Sequence, residues 1–290
     1  LTGFRMGLRV LRNILKTFFF ALLRGRGLSS LNQTPSKLDQ IDPLHTLLLL
    51  GLGLVASIIN VVAGGGSYLT LPALIFTGLS PGMANGTNRI AILAQNITAI
   101  ATFARRGFGD FRLSMTLAAC ALPGAVVGAI LGVQLQGVWF NRALALIMVG
   151  VMLVMYFEKR TAQQSENYQP TRRQLRNGHL LMVVVGFWGG FIQLGVGFLI
   201  MPVLNRVMGL DLVRTNMHKV FIVAVYTIVA LLIFASQIEL AWMIGIALAV
   251  GNSIGGYLGA RFTISGGERT IRRVLNFVLV IFIIKLLFNF

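Results

Sequence analysis

Gly64-Gly65-Gly66 interrupts an apolar run, between Val61-Val62-Ala63 and the short segment Ser67-Tyr68-Leu69-Thr70-Leu71-Pro72. Consecutive glycines stop a helix, because each costs about 1 kcal/mol against alanine in a helix interior. The chain must build a helix, break it among apolar residues and restart a short one. Apolar residues continue to Phe76. Ser80-Pro81-Gly82-Met83-Ala84-Asn85-Gly86-Thr87-Asn88-Arg89 then leads into a helix predicted to start near Asn85, with Asn88 and Arg89 in its first turn. Broken helix ends, backbone N–H groups without partners and a cation come close together. In a membrane these are the ingredients of an anion site.

Composition says that a membrane is the setting. Of 290 residues, 56% are hydrophobic and 11% charged, against about 25% charged in soluble domains. The mean hydropathy is +0.80. The net charge of +17 raises nucleic acid as a partner. The cations, however, sit in the N-terminal segment and in connectors, as expected for cytoplasmic loops facing anionic headgroups. The lipid bilayer is therefore the expected partner, and nucleic acid is not. Cys120 is the single cysteine. It allows no intrachain disulfide and makes no metal site alone, so no metal or other cofactor is expected.

Arg5, Arg9, Arg12, Lys16, Arg24 and Arg26 alternate with apolar residues near the start. The charges are too frequent for a span of about 20 apolar residues. A basic amphipathic helix lying on the membrane fits them. A targeting segment or a loosely held tail stays open. Residues 1–43 are read as this segment and a polar linker. Residues 44–157 form a first membrane repeat, with apolar segments Leu44–Ala63, Ser67–Phe76, Asn85–Phe103, Leu113–Leu135 and Phe140–Phe157. A basic cytoplasmic linker follows at 158–178. Residues 179–290 form a second repeat, with His179–Ile192, Phe198–Val207, Thr215–Ser236, Glu239–Phe262 and Ile271–Phe288.

The repeat is visible in register. Pro72 and Pro202 are 130 residues apart, and the same offset sets Gly65 on Gly195, Ser67 on Gly197, Asn88 on His218 and Arg89 on Lys219. Gly124, Gly128 and Gly132 fall on Gly251, Gly255 and Gly259 at an offset of 127. Small residues at every fourth position let helix backbones approach in lipid. The connector after Asn85–Phe103 carries Arg105, Arg106 and Arg112, which places it inside by the positive-inside rule. Its counterpart, Ala235–Glu239, has no Lys or Arg and belongs outside. Equivalent spans should then run in opposite directions. The predicted fold is an all-α integral membrane protein of two inverted-topology repeats with glycine-broken half-helices, preceded by the amphipathic N-terminal helix. In that arrangement residue 44 starts outside, and so does the basic N-terminus unless it crosses.

All eight acids lie at segment ends or in connectors. Carriers of cations normally need an intramembrane carboxylate, so this distribution argues against a cation substrate. Arg89 and Lys219 are repeat-equivalent and should each sit about one turn into a helix, where the dipole favours negative charge. An anion could bridge them. The alternative is that both snorkel to the interface. Asn85, Thr87 and Asn88 add uncharged groups to the first copy. Gln193, Asn216 and His218 add them to the second, although Asn and Gln also serve as plain interhelical glue. His218 is open to two roles, proton coupling or hydrogen bonding. Tyr68 and Phe198 read as packing. No paired acids, His-x-x-x-His or Glu-x-x-His pattern supports an intramembrane enzyme.

The two motifs Gly-Gly-Gly-Ser-x-Leu-x-Leu-Pro and Gly-Val-Gly-Phe-Leu-Ile-Met-Pro, joined by a basic linker, resemble the sulfite exporter TauE/SafE family, also described as the toluene sulfonate uptake permease family. The resemblance covers residues 44–288. It implies an inner or plasma membrane transporter of sulfur-containing anions: sulfite, thiosulfate, sulfoacetate or related sulfonates. The family's small-Asn-small-Thr segment stands as Ala84-Asn85-Gly86-Thr87; the second copy departs from it with Arg214-Thr215-Asn216-Met217. Some relatives use cysteine chemistry, which a lone Cys120 does not suit.

The expected function is export of sulfite or an organosulfonate by alternating access; the alternative is a transporter or channel for another small anion such as thiosulfate or sulfoacetate, ahead of an intramembrane enzyme. The expected partner is a small sulfur-containing anion, and a homodimer is left open. The expected anion-binding residues are Gly65, Gly66, Ser67, Asn85, Thr87, Asn88, Arg89, Gln193, Gly195, Gly197, Asn216, His218 and Lys219.

Overall fold

The computed structural model describes residues 43–134 and 170–288. The basic N-terminal segment, the predicted span Phe140–Phe157 and the linker up to residue 169 lie outside the described residues. Within them the chain is helical, and no strand occurs. The helices are α1 (Pro43–Ala63), α2 (Ser67–Phe76), α3 (Pro81–Arg105), α4 (Phe111–Gln134), α5 (Arg172–Phe191), α6 (Val196–Pro202), α7 (Leu212–Gln237) and α8 (Trp242–Phe288). A π-helical turn, Val203–Val207, continues α6. Pro202 lies at the junction and lacks the N–H that a regular helix would use there.

Several boundaries differ from the sequence expectation, each for a local reason. Helix α3 starts at Pro81, not near Asn85. Ser80 is its N-cap, accepting from the Met83 N–H, and proline occupies the first helical position. Helix α7 starts at Leu212, not Thr215, because the Asp211 carboxylate accepts from the N–H groups of Val213 and Arg214. Arg89 and Lys219 therefore lie two turns or more inside their helices, beyond the first turn to which the dipole effect is confined. Helix α5 takes in Arg172, Arg173 and Arg176, which the sequence reading left in the linker. A capping box between Thr171 and Gln174 starts it. Helix α8 runs unbroken through the expected connector at Arg269–Arg273. It contains no proline to stop it.

Among the described residues four helices are long and apolar enough to cross a membrane: α1, α4, α7 and the Trp242–Gly266 part of α8. Large apolar side chains are exposed on the outer faces, among them Leu47, Val127, Val184 and Val250. Apolar surface on α1, α4, α5 and α8 is what lipid contact requires. The protein is an integral membrane protein.

Helices α3 and α7 form the centre and run antiparallel. Arg89 meets Phe234, Leu93 packs with Ile228 and Leu231, and Phe103 packs with Met217 and Val220. Glycine seams bind the outer helices, α4 to α5 and α8 to α1. A Cβ on Gly124 would sit 2.0 Å from the Val183 carbonyl oxygen, and one on Gly128 would sit 2.0 Å from that of Phe187. Gly251 and Gly255 approach the Leu50 and Leu54 carbonyls in the same way. Residue numbers rise together along both seams, so each pair is parallel. Each seam joins a helix from the first half of the chain to one from the second.

Candidate functional site

The two helix breaks meet in the interior. Gly64 has φ +90°, which lets the chain reverse after α1 without Cβ strain. Its backbone lies directly against that of Gly197. The aromatic rings cross over: Phe198 covers Gly65, and Tyr68 covers Gly195, with the two ring centroids 6.0 Å apart. These are repeat-equivalent pairs, so each half covers the other's break with the same ring position. Ser67 is buried at the start of α2. The backbone N–H groups of Gly65, Gly66, Ser67, Gly195 and Gly197 take no backbone acceptor.

Helices α1 and α5 stop at the breaks with carbonyls exposed at their ends. The opposite half supplies the caps. The Arg89 guanidinium donates through Nη1 to the Gly189 carbonyl at 2.9 Å and to Gln193 Oε1 at 2.9 Å. Its Nη2 donates to the Gly190 carbonyl. One turn earlier, Asn85 donates to the Phe191 carbonyl at 2.9 Å. Lys219 Nζ donates to the carbonyls of Asn60 at 3.1 Å and Val61 at 2.8 Å, and to Asn216 Oδ1 at 2.6 Å. Asn216 donates in turn to the Val62 carbonyl at 3.1 Å. A tethered cation and an asparagine thus close each broken helix. A negative helix end favours a positive charge, which stabilises two cations deep in the protein.

The expected residues therefore fall into separate places. Asn85, Arg89 and Gln193 gather at the end of α5. Asn216 and Lys219 gather at the end of α1. Gly65, Gly66, Ser67, Gly195 and Gly197 line the meeting of the breaks. Thr87 stands apart, its hydroxyl accepting from the Ala241 N–H just ahead of α8. His218 faces α4, where Nδ1 lies 2.7 Å from Ser114 Oγ. Four buried polar atoms of the expected residues have no partner: Asn85 Oδ1, Asn88 Oδ1, Arg89 Nε and His218 Nε2. Lys219 has no donor to spare, because its three N–H groups meet three acceptors.

Sequence reasoning missed Tyr226, Thr227, Ser114 and Asn60. Gln193 Nε2 donates to the Thr227 hydroxyl at 3.1 Å and to the Tyr226 hydroxyl at 3.4 Å, which fixes the amide that holds Arg89. The available signal was a polar side chain within an apolar span, as at Ser114 and Thr227.

Residues 49–286 match the family described as sulfite exporter TauE/SafE. The chain belongs to the TauE/SafE family. The probable membrane transporter protein YfcA of Escherichia coli K12 is 27% identical over 260 residues, covering 89% of this chain and 95% of the relative. A probable membrane transporter protein of Haemophilus influenzae Rd is 25% identical, covering 78% and 88%. The probable membrane transporter protein YunE of Bacillus subtilis 168 is 24% identical, covering 84% and 97%. No solved structure matches. As a TauE/SafE protein the chain is a membrane transporter and not an enzyme. Its paired breaks and buried cations are features of that transporter.

Proposed function

We propose that this transporter exports a sulfur-containing oxyanion, sulfite or an organosulfonate, across the cell (inner) membrane by alternating access of two inverted repeats. The opposed directions of α3 and α7 support the inversion. The observation that carries the reading is the meeting of the breaks. There, backbone N–H groups without backbone acceptors from both halves converge, beside two buried cations and with no buried carboxylate among the described residues. An oxyanion would take donors from Gly65, Gly66, Ser67, Gly195 and Gly197. Arg89 would offer Nε, while its Nη groups stay on the α5 carbonyls. Lys219 would act through its charge, and Asn88 and His218 would orient oxygens once the repeats rock. Gln193, Asn85 and Asn216 would hold the cations in place, and Thr87 would steady α8 against α3.

Uptake of labelled sulfite into proteoliposomes tests this, with sulfate, thiosulfate and sulfoacetate as competitors. The expected result is saturable transport with counterflow, lost in Arg89→Ala and Lys219→Ala proteins that still purify as folded species. Normal transport by both variants would refute the paired-cation site. The competitor ranking would name the anion class, and absence of counterflow would mean a channel.

A further inference from the structure

His218 is fully buried, yet it has only one hydrogen bond. Nδ1 is joined to Ser114 Oγ at 2.7 Å, while Nε2 has no partner. An imidazole in an apolar interior normally satisfies both nitrogens. Ser114 lies in the first turn of α4. It lines a half-open cavity of about 50 Å³ together with Asp110, Gly109 and apolar residues that include Ile100, Phe103 and Phe221. At about 10–15 Å³ for each water the volume is large enough for water, and Asp110 and Ser114 are the polar side chains on its largely apolar wall. Asp110 stands at the start of α4, with Oδ1 accepting from the Leu113 N–H at 3.1 Å. The cavity therefore leads from the α3–α4 connector to the hydroxyl that touches His218.

We propose that His218 carries a proton in the transport cycle and exchanges it with the α3–α4 side through Ser114 and the cavity beside Asp110. The inference rests on the carrier reading above. A proton reaching Ser114 Oγ is matched by the hydroxyl's own proton passing to Nδ1, so the hydroxyl is restored at each transfer. The imidazolium then has an Nε2–H that needs an acceptor, and an oxyanion supplies one. Proton and anion would stabilise each other in the interior. The charged groups acting on His218 are Asp110, from the start of α4, and Arg214, one turn earlier on α7. Helix α3 lines this cavity only with Ile100, Phe103 and Ala104. A cavity large enough for water, a hydroxyl bridge and a nitrogen without a partner are the parts a relay would use.

The test uses the full chain in proteoliposomes, comparing wild type with Ser114→Ala and Asp110→Asn. Sulfite uptake driven by a pH gradient should fall by about tenfold in Ser114→Ala and less in Asp110→Asn. Tracer exchange of sulfite at equal pH should stay at the wild-type rate. Gradient-driven uptake unchanged in both variants would overturn the proposal. So would an equal loss of exchange, which marks a structural role. A second arm needs no substrate: histidine ¹⁵N resonances of the solubilised protein, with the His218 signal assigned by its loss in His218→Gln. A signal that titrates between about pH 5 and 8, and titrates differently in Ser114→Ala, supports the relay. A signal that stays neutral across that range overturns it. Wild type that carries no sulfur oxyanion would refute the carrier reading, and the resonance arm would still decide the relay.

Discussion

Gly64 and Gly197 lie backbone to backbone. A Cβ on Gly64 would fall 2.6 Å from the Gly197 carbonyl carbon, and one on Gly197 would fall 2.3 Å from the Gly64 Cα. Backbone cannot give way as a flexible side chain can. Gly64→Ala carries a second penalty, since a left-handed conformation costs an L-residue about 1–2 kcal/mol. Both substitutions should lower the thermal unfolding midpoint of the purified protein. Gly51→Ala is the control, because nothing lies within 4 Å of its Cβ position. An unchanged midpoint for Gly197→Ala would mean that the breaks do not touch.

The cross-capping predicts a loss that charge alone would not. Lys219→Ala leaves the Val61 carbonyl without the Lys219 donor, at about 1–3 kcal/mol for a buried group left unpaired, and leaves the Asn60 carbonyl with only the Gly64 N–H. Ethylammonium should restore part of the midpoint in Lys219→Ala, by entering the emptied space. Arg89→Lys should also be destabilising, because one ammonium cannot reproduce a planar fork that meets Gly189, Gly190 and Gln193 together. Calorimetry or a thermal-shift assay in detergent reads all three outcomes. Full stability of Arg89→Lys would show that the fork geometry is dispensable.

The seams predict equal sensitivity at equivalent positions. Gly124→Val and Gly251→Val each push a side chain into a carbonyl of the neighbouring helix. Overpacking of this kind costs about 1–3 kcal/mol or more. Both variants should lose stability, and Gly82→Ala, with open space around its Cβ position, should not. A midpoint unaffected by Gly251→Val would separate α8 from α1.

The direction of α3 against α7 predicts a labelling pattern. In a Cys120→Ala background, Gly109→Cys places an exposed thiol in the α3–α4 connector, and Ser236→Cys places one in the last turn of α7, just before the equivalent connector. An impermeant maleimide should reach them from opposite sides of oriented vesicles. Labelling of both from one side would exclude inverted repeats.

Much of the fold could be read from glycine and proline. Ser67–Phe76 matches its predicted bounds, because three glycines precede it and the turn at Gly78 follows it. The start of α3 was misplaced because Ser80-Pro81-Gly82 resembles a loop, although serine before proline is also an N-cap signal. The same oversight at Asp211 put Lys219 one turn too close to a helix start. The pairing of Arg89 and Lys219 was visible as register. What they touch was not, since carbonyls at helix ends leave no mark in side-chain sequence. The link from His218 to Ser114 was equally hidden, because it depends on the packing of α7 against α4.

The seams also bear on how the chain is made. Helix α1 is synthesised well before its glycine-matched partner α8, with the other described helices between them. Until then α1 stands in the bilayer with Gly53 facing lipid instead of the Leu248 carbonyl. The first half therefore waits, loosely held, for the second, and a truncated product would present an unfinished groove to membrane quality control.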